Sequence, residues 1–546
     1  MRIGLDLDNT IANYDNAFLV VANSLGHRTV ASTKRTLKEE LAHLPDGESL
    51  WQRIQGLVYG RFISEAKPHA GVLEFVRRAL VLGHDLYIVS HKTQFGHFDD
   101  TKTPLREAAS RWLTDMSVVG DNNLRIAPAR VIYTDTREQK IDALNHLKLD
   151  VFIDDLLEVL LEPSFPSATR RIWVADAATA TGRSLSNASR IGPSIEHFAS
   201  WHEIGSVLFG DIQTGEVAAI ITDEWPEVQP LQVHTVAGRG NSRIFQVRLP
   251  DSVAALKMYP STAHDPRPRR ITEWRALASL EARGLPVPVP LATSETLNWS
   301  LIEWVEGDQP PPNDEESLQG AAQFVRSLEV LSRSTTFGDD LATEACLRPS
   351  DIAEQIDQRM ERLRSVSDSA LEVFLESTLG RERDSRISTA QNLLGAQWSS
   401  PLARALQVLS PSDFGFHNAI RTPGGRLMFI DFEYFGWDDP VKLVADFVLH
   451  PGSTLSKESQ QWWIREMSRV FASDANFTRR LSACLPLYAL RWSLIMLNEF
   501  LSDKSRNRLH ARGNLEMDLP QLRAVQLEKA RQMIRREMPH VPQGGQ

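Results

Sequence analysis

Three residues late in the chain have the types and spacing that phosphoryl transfer from ATP requires. They are Asp413, Asn418 five positions on, and Asp431 thirteen beyond that. One carboxylate orients an acceptor hydroxyl and takes its proton. An amide oxygen and a second carboxylate hold Mg²⁺ on the nucleotide phosphates. On this reading Asp413 is the base, and Asn418 and Asp431 are metal ligands. Asp431 ends the apolar run Leu427–Ile430, which follows the turn pair Gly424-Gly425. That pattern predicts a hairpin delivering the metal ligand.

A second set of acids opens the chain. Arg2-Ile3-Gly4-Leu5-Asp6-Leu7-Asp8-Asn9-Thr10 is a short apolar strand ending in two carboxylates at i and i+2. In a parallel sheet, ligands collect at the carboxyl ends of strands. Two acids there suit Mg²⁺ binding and covalent catalysis through a phosphoryl-aspartate. Asp85–Ser90 is a second strand ending in a hydroxyl, and Val151–Asp155 a third ending in paired acids, Asp154 and Asp155. Lys140 opens a helical stretch between them.

The order of these N-terminal motifs resembles the haloacid dehalogenase superfamily, most of whose members are phosphatases. The resemblance implies Asp6 as nucleophile and Asp8 as general acid/base, with Asp6, Asp8 and Asp154 about the metal. Ser90 would donate to a phosphate oxygen. Lys140 would supply the neutralising cation, with Lys92 as a rival; His91 and His97 receive no role. The C-terminal set resembles the aminoglycoside phosphotransferase and choline kinase family, the small-molecule branch of the protein-kinase-like fold. Upstream, Gly238-Arg239-Gly240-Asn241-Ser242 lies between strand-like segments, and glycines there let backbone N–H groups approach phosphates. The resemblance aims Lys257 at the α- and β-phosphates, paired with Glu273. It places the adenine against the backbone of the segment containing Glu303 and Val305, and gives Asp446 a part in stabilising the catalytic loop. The family usually has His two residues before the catalytic Asp; here that residue is Pro411.

These residues need elements to hold them. Residues 14–69 read as helical, with Trp51, Ile54, Leu57, Val58 and Phe62 at helix-like spacing. By resemblance they form a small cap over the phosphatase site. Arg171–Ala175 reads as a last strand and His197–Leu208 as a closing helix. The expected organisation is an α/β Rossmann-like domain over 1–208, a linker at 209–230, and an α+β bilobal kinase-like domain over 231–540. The join between its lobes is expected near 302–308. Within the linker, Val217–Ile221 is open between coil and edge strand.

At 546 residues the chain exceeds what one core supports. Apolar content of 42% and charged content of 24% are those of a globular protein. The formal net charge of −10 opposes nucleic acid as a partner. Two distant cysteines, Cys346 and Cys484, exclude a disulfide framework and fit a reducing cytoplasm. Acids from position 6 predict no secretory leader, and no uncharged apolar run approaches the ~20 residues of a membrane span. The function expected is a bifunctional enzyme: an ATP- and Mg²⁺-dependent phosphotransferase acting on a small hydroxylated metabolite, joined to a Mg²⁺-dependent phosphatase. The alternative is one active enzyme fused to a ligand-binding or regulatory module. A nucleic-acid end-processing kinase-phosphatase would usually carry GxxxxGK[ST], which is absent.

Overall fold

The computed structural model describes residues 1–95, 102–175, 195–236, 242–261, 265–334, 337–501 and 519–542. Near-continuous apolar runs build the central strands of the first sheet, as parallel strands buried on both faces require. Its strands are β1 (Arg2–Leu5), β2 (Asp85–His91), β3 (Val131–Thr134), β4 (Val151–Asp154), β5 (Arg170–Val174) and β6 (Ile195–Phe198). They pair in parallel in the order β3-β2-β1-β4-β5-β6. The doubly wound arrangement is compatible with a Rossmann-like domain. β1 lies between β2 and β4, so Asp6, Ser90 and Asp154 emerge along one sheet edge. The segment expected to close this region differs in detail: Ile195–Phe198 is a strand, and the helix runs from Trp201 to Phe209.

Between β1 and the helix Val72–Val81 stand three helices, Asp15–Ser24, Lys34–Leu41 and Gly47–Tyr59. The short pairing of Ala12–Asn13 with Lys67–Pro68 closes their base. Phe18, Val21, Leu37, Ile54 and Val58 are fully buried among them.

The stretch 209–230, expected as a linker, contains the helix Thr214–Glu224, and Val217–Ile221 is neither coil nor strand. Val217, Ile220 and Ile221 are fully buried. They share one core with Phe245, Val247 and Leu256 of the next sheet. Ion pairs add to this. Arg78 Nε lies 2.8 Å from Glu216, and Arg77 bridges Asp223 and Glu224. Glu224 in turn accepts from Ser294 Oγ at 2.6 Å. The segment is a brace packed against both neighbours.

The second sheet is antiparallel: β7 (Gln232–Val236), β8 (Arg243–Arg248), β9 (Val253–Met258), β10 (Pro290–Ser294) and β11 (Trp299–Glu303), in the order β10-β11-β9-β8-β7. The helix Arg269–Glu281 lies between β9 and β10 in sequence. From Glu315 onward the chain is mainly helical, interrupted by the hairpin Ala419–Arg421 with Leu427–Phe429. At the join, Asp308 and Arg421 exchange backbone hydrogen bonds of 3.2 and 2.8 Å. A Cβ on Gly307 would meet the Arg421 carbonyl at 2.1 Å, so only glycine fits. The helical stretch Phe477–Phe500 is long and apolar enough to cross a membrane. Its apolar window is 78% buried, as a core helix requires.

Candidate active sites

The first site forms where β1, β2 and β4 end. Lys140 Nζ lies 2.7 Å from both Asp6 Oδ1 and Asp154 Oδ2, and all three side chains are buried. Lys92, the rival lysine, instead meets Asp8 at 2.9 Å. Asp8 also accepts from Tyr14 Oη at 2.6 Å. Carboxylate oxygens of Asp6, Asp154 and Asp155 lie within 4.8 Å of one another. The side chain of Asp8 is outside that trio, turned toward Tyr14 and Lys92. Asp155 exchanges hydrogen bonds with Thr10 Oγ1. Burial pushes the Asp6 carboxyl upward; Lys140 opposes this, while Asp154 and Asp8 add to it. Burial followed by the charges of Asp6 and Asp154 likewise raises Asp155. A hard cation with oxygen ligands relieves such crowding, so the trio fits Mg²⁺. Ser90 Oγ is buried and has no hydrogen-bond partner. A buried hydroxyl left unpaired costs about 1–3 kcal/mol, and a ligand oxygen at this strand end would satisfy it.

The second site joins the antiparallel sheet to the helical region. Lys257 on β9 reaches Glu273 at 2.8 Å, Asp431 at 2.6 Å and Glu433 at 3.4 Å. Burial disfavours its charge, but Asp431, Glu273 and Glu433 together hold its ammonium well above the usual lysine value. Glu273 is fixed by Tyr259 Oη at 2.6 Å and by the Phe432 N–H at 3.1 Å. Glu433, which the sequence reading did not select, pairs with Arg269 and accepts from Ser242 Oγ at 3.4 Å. Oxygens of Glu273, Asp431 and Glu433 lie within 4.8 Å of one another, a second donor set suited to a hard divalent cation. The Ile430 N–H donates to the Asn418 carbonyl at 2.9 Å, bringing Asn418 and Asp431 to one end of the hairpin. The Asn418 amide donates to the Asp413 carbonyl at 3.0 Å, leaving its own oxygen as an acceptor. Gly238, Gly240 and Asn241 lie outside the described residues. Glu303 is tied to Val289 through its backbone N–H and side chain, and Val305 follows it in the connection between the lobes.

The loop carrying Asp413 is held by Lys442, His417 and His450, which the sequence did not single out, together with Asp446, which it did. Ser412, between Pro411 and Asp413, takes a left-handed φ of 67°. Such a conformation in a non-glycine residue persists where the surroundings impose it. Buried Lys442 donates to Ser412 Oγ at 2.7 Å, and Ser412 Oγ donates to the Thr343 carbonyl at 2.9 Å. Lys442 is itself paired with Asp438 at 3.4 Å and with Asp446 at 3.2 Å. His417 Nε2 donates to Asp413 Oδ1 at 3.0 Å. The His450 ring stacks on His417 at 3.5 Å. His450 Nδ1 accepts from the Gly452 N–H, so its proton sits on Nε2, 3.7 Å from Asp413. Burial and the neighbouring His417 lower His450 to about 4, leaving it neutral at pH 7. A Cβ at position 415 would meet the His417 ring at 2.7 Å, so Gly415 makes room for the stack. Burial alone would raise Asp413, yet the His417 hydrogen bond, the largest opposing influence, with the positive charge of Lys442 adding to it, holds it well below the usual carboxylate range.

Residues 233–470 match the phosphotransferase enzyme family. No curated protein matches the chain. Among solved structures, the choline kinase LicA from Streptococcus pneumoniae is 12% identical with a TM-score of 0.38, covering 58% of this chain and 97% of its own. The ethanolamine kinase from Plasmodium vivax is 15% identical with a TM-score of 0.41, covering 60% and 93%. A spectinomycin phosphotransferase solved with ADP and spectinomycin is 10% identical with a TM-score of 0.42, covering 59% and 98%. The match to the phosphotransferase enzyme family thus spans residues 233–470, somewhat less than half of the chain.

Proposed function

We propose that this chain is a bifunctional enzyme of phosphate metabolism, with an ATP-dependent phosphotransferase and a phosphomonoesterase on one polypeptide. One observation carries the reading. The chain builds two separate trios of carboxylates, each closed by a buried lysine: Asp6, Asp154 and Asp155 with Lys140, and Glu273, Asp431 and Glu433 with Lys257.

In the phosphotransferase, Asp413 orients the acceptor hydroxyl. Its Oδ1 is occupied by His417, which leaves Oδ2 for the acceptor's proton. A carboxylate held this far down stays ionised and takes that proton late, as phosphoryl transfer proceeds. Lys257, released from Asp431, clamps the phosphates while Glu273 positions it. Asn418 and Asp431 would hold Mg²⁺, which neutralises developing charge on the phosphates.

In the phosphatase, an Asp6 oxygen bonds to phosphorus as the ester P–O bond breaks. Asp8 protonates the departing oxygen. It then takes a proton from water, whose attack releases phosphate and restores Asp6. Ser90 and Lys140 hold the phosphoryl oxygens, and Asp6 and Asp154 would hold Mg²⁺, which offsets charge during the attack.

Turnover of ATP against a panel of sugars and amino alcohols, with hydrolysis of their phosphates by the same preparation, tests the reading. Loss of both activities in the presence of Mg²⁺ would sink it. Lys257→Ala is expected to lower ATP turnover about 10²-fold or more, because it removes the phosphate clamp. Glu273→Ala acts only through that lysine and falls less. Full turnover in Lys257→Ala would remove the lysine from the mechanism. His417→Leu is expected to lower kcat about tenfold or more with little change in ATP affinity, the size expected for a hydrogen bond to a charged group. His417→Gln, which keeps an N–H donor, should recover much of that loss. Equal defects in both variants would make His417 merely structural.

A further inference from the structure

The three-helix insertion brings a third lysine to the first site, and its partners are of a different kind. Thr33 caps the helix Lys34–Leu41 through a capping box with Thr36, and the Lys34 N–H donates to Asp15 at 2.7 Å. Lys34 is thereby fixed at the first helical position. Its ammonium donates to Tyr59 Oη at 2.9 Å and Asn9 Oδ1 at 3.3 Å, and it stands 4.9 Å from the centre of the Phe18 ring. Among the described residues, no carboxylate lies within 4.0 Å of it. Lys140 and Lys92, by contrast, are each paired with reacting acids. The Lys34 ammonium is largely withdrawn from water, which disfavours its charge, while Asp155, Asp8 and Asp15, none of them in contact with it, act the other way.

Its location defines what is missing. Asn9 follows Asp8, and its left-handed φ of 59° belongs to the loop that carries both acids. The Tyr59 ring stands 5.6 Å from the Lys34 ammonium and 5.2 Å from that of Lys92, which holds Asp8. Lys34 thus shares the Tyr59 ring with the lysine that holds Asp8, the group proposed to protonate the departing alcohol. The phosphoryl group already has Ser90 and Lys140. An ammonium largely withdrawn from water, whose hydrogen-bond partners are all neutral, is a recognition element for an anion.

Resting on the phosphatase reading above, we infer that Lys34 and Tyr59 form a subsite for a second anionic group, so that the substrates are phosphomonoesters whose leaving alcohol itself carries a carboxylate or a phosphate. Two matched pairs test this: glycerol 3-phosphate against 3-phosphoglycerate, and fructose 6-phosphate against fructose 1,6-bisphosphate. The full chain is expected to favour at least one charged member about tenfold or more in kcat/KM, the range of a charge-assisted hydrogen bond. The pair showing it tells carboxylate from phosphate. In Lys34→Met the charged-to-neutral ratio should fall to about one, and in Lys34→Arg it should survive. Because the readout is a ratio on one preparation, partial misfolding does not imitate it. Equal use of both members by the wild-type chain, or a preference that survives in Lys34→Met, overturns the subsite. Absence of Asp6-dependent hydrolysis of all four compounds overturns the phosphatase reading itself.

Discussion

Asp6→Asn is expected to abolish phosphomonoesterase activity, by about 10³-fold at least, while leaving ATP turnover intact. The amide keeps the shape and an oxygen for Lys140, but it has lost the anionic nucleophile on which both half-reactions depend. The fold should survive. Lys140 retains Asp154 at 2.7 Å, and removing one charge relieves the crowding that raises Asp6 and Asp155. Beryllium fluoride should be captured at Asp6 in the wild-type chain and not in the variant. Capture on any other residue would refute the assignment.

The second large effect is expected at Asp413. Asp413→Ala should lower phosphotransferase kcat about 10²–10⁴-fold, the contribution of a positioned general base. ATP binding should persist, because Lys257, Glu273 and Asp431 form the phosphate side of the site and do not touch Asp413. The substitution removes the acceptor of His417 without stranding a charge on His450, which is neutral. Isothermal titration with ATP and steady-state rates on the same sample separate the two effects. Unchanged kcat would sink the role of Asp413.

How much of this was readable beforehand follows from how local each signal is. Asp6, Asp8, Ser90 and Asp154 end short apolar strands, and strand ends in a parallel sheet meet at one edge. Asp413, Asn418 and Asp431 are linked by a hairpin that a Gly-Gly turn announces. Motif order favours Lys140 over Lys92, and the distances divide the two lysines between Asp6 and Asp8. Other features depend on contacts between segments far apart in sequence. Lys442 reaches back 30 residues to Ser412, and His450 stacks on His417 from another element. Neither has a spacing that period or motif detects. The stretch 209–230 misled because its Gly, Pro and acidic residues look like coil. Those acids are the partners of Arg77 and Arg78, which lie more than a hundred residues earlier. That helix also changes how the two activities are to be separated. A cut near residue 220 would break a buried, ion-paired helix, so point variants in the intact chain are the cleaner instrument.

We propose that two independent phosphoryl-transfer centres share this chain. Wild type, Asp6→Asn and Asp413→Ala, each assayed for Mg²⁺-dependent ATP turnover with an acceptor panel and for phosphomonoester hydrolysis, test it most directly. The account predicts a crossed pattern: wild type performs both reactions, Asp6→Asn retains only phosphotransfer, and Asp413→Ala retains only hydrolysis. A wild-type chain that performs one reaction alone, or a single substitution that removes both from a folded protein, would contradict it.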